Sequence, residues 1–442
     1  MSIQQIKFKH YKSFENEQIF DIKPITLVIG KNNAGKTALI KLPLMLSEWL
    51  KANGDLPLRY NNDKLSFAKN WKELFFNQDK NKQLKFEMNI DEIKIITHIQ
   101  LNGYQYLIAL AKCIYEGKLH YSARWTGEEV ENPLYNLTYF GIEEHYDTNE
   151  YTEYYAPRQD VKLSFEGMEP IIAEKIAEND EYVPISPIPH LGGFQYFTGI
   201  RHTFADANLS FDELKRKEFD VKGEFAIHQL YKDVDLLQKV QDWYIENMEG
   251  WGIEIEKNAG NDGFYLFLTD FNTEGGARVP ITQTGQGITQ VLPLVVSAYM
   301  NVKPPDGRSL QAQINRQLWQ SSTIIIEQPE LHLHPAAHGN LVQLFAESAL
   351  ANGHNYILET HSEVMLLRIR RLVAEGVLKP EQVAIYWVDS EEGSSGKRSF
   401  LKKIEVDENG MLDDWPEGIF ADDHEEVLAI RRAQRKKEVI VQ

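Results

Sequence analysis

The run Gly30-Lys31-Asn32-Asn33-Ala34-Gly35-Lys36-Thr37 constrains this chain more than any other feature. It satisfies G-x-x-x-x-G-K-[ST] without a gap. It also has the required context: an apolar strand before it, Ile25-Thr26-Leu27-Val28-Ile29, and an amphipathic helix after it, Lys36 to Leu50. The glycines let the backbone wrap an anion closely, so that several N–H groups and a helix N-terminus face it. Gly30, Asn32, Asn33, Ala34, Gly35, Lys36 and Thr37 are therefore the expected nucleotide-binding residues. Lys36 is expected to reach the β- and γ-phosphates of ATP, and the Thr37 hydroxyl to ligate Mg2+.

A second motif lies nearly 300 residues on. Thr323-Ile324-Ile325-Ile326-Glu327-Gln328-Pro329-Glu330 reads as a buried strand that delivers polar groups at its C-terminal edge, where open α/β sheets place ligands. Glu327 is expected to hold Mg2+ through water, opposite Thr37. The next position, where a carboxylate would position or deprotonate the attacking water, is Gln328. An amide can orient water but cannot take its proton. Several accounts stay open: Gln328 orients water, Glu330 serves as base, hydrolysis is slow by nature, or the amide replaces a glutamate by engineering. In Glu330-Leu331-His332-Leu333-His334-Pro335 the paired histidines admit a metal reading, but a loop coupling two active sites fits the position after the Mg2+ strand better.

Composition narrows the class. Hydrophobic residues make up 43% and charged residues 25% of 442, as in a soluble globular chain with one large elaborated domain or two. The single cysteine, Cys113, excludes a disulfide framework and any Cys-based zinc site. No signal peptide or membrane-spanning run is visible, so a cytoplasmic protein without membrane contact is expected. A formal charge of -18 argues against a surface built to coat a polyanion.

Alternation predicts strands at Ile3 to Lys9 and an antiparallel meander over 83–125. Residues 127–160 hold nine acids (Glu128, Glu129, Glu131, Glu143, Glu144, Asp147, Glu150, Glu153, Asp160) against the one base Arg158, with six tyrosines interleaved. They read as a solvated insertion, with a docking surface for a basic partner as the alternative. Ser210 to Met248 is predicted helical, followed by a strand pair at Gly252 to Lys257 and Phe264 to Thr269. The last third predicts strands at Thr323 to Ile326, Asn355 to Leu358 and Val383 to Val388. Helices are predicted at Gln286 to Met300, Pro335 to Leu350 and Ser362 to Glu375, a βαβ rhythm that implies a parallel sheet.

With these motifs in order (FKHYKSF, GKNNAGKT, TQTGQGITQVLPL, IIIEQPELHLHP and ILETHSE), the chain resembles the ABC-type ATPases of the SMC, RecF and OLD group over roughly 1–60 and 275–390. The resemblance implies an α/β fold: an ABC-type P-loop NTPase head with a mixed or parallel core sheet, an antiparallel β-lobe and a helical insertion. The expected division is 1–126 and 276–390 for the two parts of the head, 127–190 for the acidic tyrosine-rich insertion, 191–275 for a helical and strand insertion, and 391–442 for a small extension. Thr284-Gly285-Gln286-Gly287 stands where the family carries its signature loop, which reaches the ATP of a partner subunit; a plain helix N-cap at Thr284 is the alternative. His361 resembles the family's switch histidine at the γ-phosphate. Gln78 is the candidate for the Mg2+-sensing loop that joins the lobes, and spacing does not separate it from Gln83. Asp414-Trp415-Pro416-Glu417-Gly418-Ile419-Phe420 resembles a small domain of unknown function in one branch of these ATPases. The basic tail (Arg431, Arg432, Arg435, Lys436, Lys437) reads as a solvated helix end or as a contact for a partner or nucleic acid.

A composite site implies a homodimer or higher homo-oligomer bridged by ATP. By analogy with anti-phage ATPases, the expected role is a scaffold or sensor subunit controlling a separate nuclease or toxin. A RecF-like repair or recombination ATPase and an ATP-holding scaffold without turnover are the alternatives. About 55 residues follow the last predicted strand, too few for an OLD-type nuclease domain. Asp389, Glu391 and Glu392 are too loosely placed for a two-metal site.

Overall fold

The computed structural model describes residues 2–51, 58–61, 65–102, 105–127, 133–145, 150–166, 168–171, 193–201, 209–210, 221–223, 225–257, 263–300, 322–393 and 396–414. The segment from Trp415 onward, the basic tail and residues 172–190 of the expected insertion lie outside the described residues.

The first half of the chain contributes β1 (Ile3–Lys9), β2 (Gln18–Asp21), β3 (Ile25–Gly30), α1 (Lys36–Lys51), β4 (Leu84–Ile90), β5 (Ile93–Asn102), β6 (Gln105–Tyr115) and β7 (Lys118–Trp125). Next come β8 (Leu134–His145), β9 (Glu150–Lys162), β10 (Ser164–Glu166), β11 (Glu169–Ile171), β12 (Phe194–Phe197) and β13 (Leu209–Ser210). The second half contributes α2 (Phe225–Lys232), α3 (Val234–Asn247), β14 (Trp251–Lys257), β15 (Gly263–Asp270), β16 (Arg278–Pro280) and α4 (Gln286–Tyr299). It ends with β17 (Thr323–Glu327), α5 (Pro335–Asn352), β18 (Asn355–Glu359), α6 (Glu363–Ala374), β19 (Val383–Gly393) and β20 (Gly396–Ile404).

The central sheet has the order β12-β17-β18-β3-β19-β20, parallel except for the last pair. Its middle strands are apolar almost throughout because both faces are covered. Val28, Ile325, Ile357 and Val388 point into one core cluster, shared with α1 and an antiparallel sheet. Leu27, Ile326, Leu358 and Ile385 point into the other, shared with the helices α2 to α6. Strands and helices predicted in the last third are found within a few residues of their expected ends. Three terminators account for that agreement. His334 accepts from Ala336 N–H at the start of α5 with Pro335 in its first turn, Gly353 closes α5 at φ 68°, and the Ser362 hydroxyl caps α6.

The second sheet is antiparallel, with the order β2-β1-β4-β5-β6-β7-β8-β9. The predicted meander is present as β4 to β7. The acidic stretch that read as a solvated insertion supplies β8 and β9, which extend this sheet. Tyr135, Leu137 and Tyr139 explain why: they alternate along β8 and each is buried in the first core cluster. A period-2 apolar face decides strand formation, whatever charge the opposite positions carry. Of the region predicted helical, residues 225–247 form α2 and α3, Ser210 belongs to β13, and 211–220 and 224 lie outside the described residues; the strand pair is present as β14 and β15. Among the described residues no helix is long and apolar enough to cross a membrane.

Candidate nucleotide site

The C-terminal ends of β3, β12, β17, β18 and β19 converge on one edge of the central sheet, and the conspicuous motifs meet there. Gly30 ends β3 at φ 153°, and a Cβ on it would lie 2.1 Å from the Val388 carbonyl oxygen. Only glycine lets the loop leave the strand so close to β19. Gly35 adopts φ 101°, and its Cβ would lie 2.8 Å from Ser13 Oγ and 3.2 Å from the Phe14 ring. The turn in FKHYKSF is therefore the floor on which the phosphate loop rests. Lys31, Asn32 and Asn33 are exposed, while Ala34 and Lys36 are buried. Lys36 Nζ curls back to donate to the carbonyls of Gly30 (2.9 Å) and Lys31 (2.8 Å). Burial lowers its pKa and Glu359 opposes that shift.

Two carboxylates face this loop from neighbouring strands. In the parallel pair β17–β18, Glu327 and Glu359 stand opposite each other in register. Glu327 accepts hydrogen bonds from Tyr196 Oη and from Gly199 N–H (3.2 Å), and pairs with Lys41 Nζ at 3.5 Å. Glu359 is 5% exposed and accepts from the Thr37 hydroxyl at 2.9 and 3.1 Å. Burial pushes its carboxyl up to about 7 against the pull of that hydrogen bond. Glu327 adds to the rise, and Lys36 and Lys41 oppose it.

Gln328 adopts φ 42°, a left-handed conformation uncommon outside glycine, and its N–H donates to the Glu359 carbonyl at 2.7 Å. Its Oε1 lies beside Gly199, 3.2 Å from where a Cβ there would stand. Glu330 accepts from the His361 N–H at 2.8 Å with one carboxylate oxygen. Its other oxygen is buried with no hydrogen-bond partner among the described residues. His361 itself is exposed, its pKa lowered first by partial burial and next by Lys36.

Behind the strand ends sits Arg201, 2% exposed. Its Nε donates to the Gln290 carbonyl (2.7 Å), and its terminal nitrogens donate to the carbonyls of Thr198 (3.1 Å), Glu327 (3.2 Å) and Gln328 (3.3 Å). The Gln290 side chain answers with two bonds to the Arg201 backbone. Arg201 thus ties α4 to the end of β17.

At the nearby N-terminus of α4 the N-cap is Gly285, with no side-chain cap, and Thr284 Oγ1 donates to the Ile281 carbonyl instead (2.7 Å). The N-cap considered at Thr284 is thereby corrected: its hydroxyl points back into the preceding turn. Gly285 and Gln286 are exposed, and a Cβ on Gly287 would lie 2.4 Å from the His332 carbonyl oxygen. The loop after Glu330 therefore packs directly on the first turn of α4. Gln78 is exposed at φ 55°, in a segment hydrogen-bonded to the FKHYKSF turn. Gln83 is instead occupied, donating to Gln100 at 3.1 Å. Asp389 pairs with Lys31 and Glu391 with Arg398, and among the described residues no group of three His, Cys, Asp or Glu side chains gathers at a metal-binding distance.

Sequence reasoning placed the phosphate loop, Glu327, Gln328, Glu330 and His361 on one edge, where they are found. It missed Glu359, Tyr196 and Arg201. Glu359 was detectable as an acid ending a buried strand, as Glu327 does; the other two announce themselves only through contacts over a hundred residues away or nearly so.

A glycine-lined anion cradle, a buried lysine, a hydroxyl and two carboxylates on the edge of a parallel sheet define a P-loop nucleotide-binding head. Residues 1–366 match the family model described as AAA ATPase domain, and the chain belongs to that family. Residues 378–429 match a second model, described as protein of unknown function (DUF3696). No curated protein matches the chain. Among solved structures it is similar to an Smc head bound to the C-winged helix domain of ScpA, at 12% identity and TM-score 0.44, covering 92% of this chain and 99% of that one. It is also similar to the SMC head domain from Thermotoga maritima, at 9% identity and TM-score 0.37, covering 92% and 100%.

Proposed function

We propose that this chain is a Mg2+-ATP switch whose heads dimerise around ATP, each nucleotide bridging the phosphate loop of one head and the Thr284–Gly287 loop of another. The observation that carries the reading is the exposed, uncapped N-terminus of α4 on Gly285, a donor-rich helix end free to meet a phosphate. The donor set fits Mg2+-ATP: Gly30 and Gly35 shape a cradle that no Cβ would fit, Thr37 offers a hydroxyl, and Glu327 and Glu359 offer hard oxygen ligands. In this scheme His361 and Gln78 sense the γ-phosphate and the metal, and Gln328 orients water.

Gly285→Glu separates dimerisation from binding. A side chain there meets open space, so the fold is expected to be unchanged, while a carboxylate at the helix end repels a γ-phosphate. Like-charge juxtaposition across an interface costs several kcal/mol, so ATP-induced dimerisation should weaken by at least about tenfold. Sedimentation of the ATP-bound chain is the measurement, and a variant that dimerises like wild type would remove the signature assignment.

Gln328 bears on turnover. Gln328→Glu restores a base where one is expected, and ATP hydrolysis should rise about tenfold or more, within the range positioned bases contribute. An unchanged steady-state rate would mean that the missing base is not limiting.

We infer further, from the resemblance at 1–60 and 275–390, that the switch serves a prokaryotic anti-phage system by restraining a separate effector. Co-purification with the products of neighbouring genes tests this role. A chain that elutes alone and binds DNA tightly in low salt would favour the RecF-like alternative.

A further inference from the structure

We propose that Glu359 is a direct carboxylate ligand of the Mg2+ ion that accompanies ATP, beside Thr37, with Glu327 standing behind it at the range of a water. The inference rests on the nucleotide reading above and decides which of its two carboxylates touches the metal.

Three observations carry it. First, Mg2+ holds oxygen ligands at about 2.0–2.1 Å in octahedral geometry, which sets neighbouring ligands about 2.9 Å apart. The Thr37 hydroxyl and the Glu359 oxygens already stand at 2.9 and 3.1 Å, the edge of such an octahedron. Thr37 makes no hydrogen bond to Glu327.

Second, the two carboxylates are provided for differently. Glu327 is held by a phenol, a backbone N–H and the Lys41 ammonium, so both of its oxygens already have partners within the chain. Among the described residues, the hydrogen-bond donor that reaches the Glu359 carboxylate is the neutral Thr37 hydroxyl alone. Lys36 and Lys41 favour its anion only from a distance, without an ion pair, so a carboxylate 5% exposed gains from a cation in direct contact.

Third, the backbone fixes where Glu359 points. Its carbonyl is held by the Gln328 N–H at 2.7 Å, and the next residue, Thr360, donates its N–H to Val28 on β3 at 3.1 Å. The strand end is clamped between β17 and the strand that launches the phosphate loop. Thr37 and Glu359 are therefore brought together by two separate elements packed on one sheet edge, independently of each other.

The test uses the full chain with Mn2+ in place of Mg2+. Free Mn2+ is followed by electron paramagnetic resonance in the presence of saturating ATP, and ATP affinity is measured separately in EDTA. Glu359→Gln keeps the volume and the acceptor for Thr37 while removing the charge. It should weaken Mn2+ binding to the ATP-bound chain by about tenfold or more, at least the loss seen when a metal ligand's supporting partner is removed. Metal-free ATP affinity should not fall, because the amide removes a negative charge that acts on Lys36 and leaves every phosphate-loop donor in place. Glu359→Asp, which retains the charge on a shorter arm, should fall between the two and serves as the probe if the amide variant does not fold. Wild-type Mn2+ affinity in Glu359→Gln would overturn the proposal while leaving the nucleotide site intact. Absence of ATP binding by the wild-type chain in EDTA and in Mn2+ alike would overturn the nucleotide reading itself.

Discussion

Lys36→Ala is expected to abolish ATP binding at millimolar nucleotide, with the fold retained. The ammonium is the one buried cation of the phosphate loop, 5% exposed, and it bridges the carbonyls of Gly30 and Lys31. A hydrogen bond to a charged group contributes about 1.5–3 kcal/mol, and a triphosphate would engage this ammonium on more than one oxygen. The loss should therefore exceed about a hundredfold in affinity, since each 1.4 kcal/mol is tenfold. The loop itself should persist, because Gly30 and Gly35 set its path through backbone conformation and through contacts with Val388 and Ser13. Calorimetric titration with ATP, paired with thermal unfolding of the same variant, checks both halves. Retained affinity would refute the phosphate-loop assignment.

The parts of the fold that could be read in the sequence share one property: their signals are local. A strand buried on both faces is a short apolar run, as in Ile324-Ile325-Ile326, and its end is marked by a turn residue such as Pro329 or a cap such as Ser362. The phosphate loop is local too, because glycine is required where a Cβ would lie only 2.1 Å from another chain segment, as at Gly30. What escaped is non-local. Charge counting hid β8 and β9 although Tyr135, Leu137 and Tyr139 already alternated, because composition over a window averages away a period of two. Glu359 was visible as a residue but not as a partner of Thr37, since that contact spans 322 positions and depends on the order of strands in the sheet. Tyr196 lies on β12, whose place beside β17 no local pattern announces.

Arg201 is the other such residue, and its removal is expected to produce the largest loss of stability. At 2% exposure its guanidinium donates to four carbonyls drawn from three segments, and its backbone is held by both polar ends of the Gln290 side chain. Burial lowers its pKa to about 10, and the nearby Glu330 and Glu327 oppose that fall, so it remains charged at neutral pH. Arg201→Ala would leave the carbonyls of Gln290, Thr198, Glu327 and Gln328 without this donor and remove a positive charge that acts on Glu330 and Glu327. Breaking a buried charge network of this kind costs on the order of 3–5 kcal/mol, enough to lower Tm by several degrees. Arg201→Lys should recover little, because one ammonium cannot span α4 and the end of β17 as a planar fork does. The consequence for function follows from what the arginine joins. Gln290 belongs to the helix whose N-terminus is proposed to meet a partner's ATP, and Glu327 and Gln328 belong to the strand end that faces the chain's own nucleotide. With the strut shortened, the two motifs lose their fixed separation, so ATP-dependent dimerisation should suffer more than ATP binding. Thermal unfolding gives the first readout. The ratio of dimerisation loss to binding loss in Arg201→Lys gives the second, which a purely structural role would leave at unity.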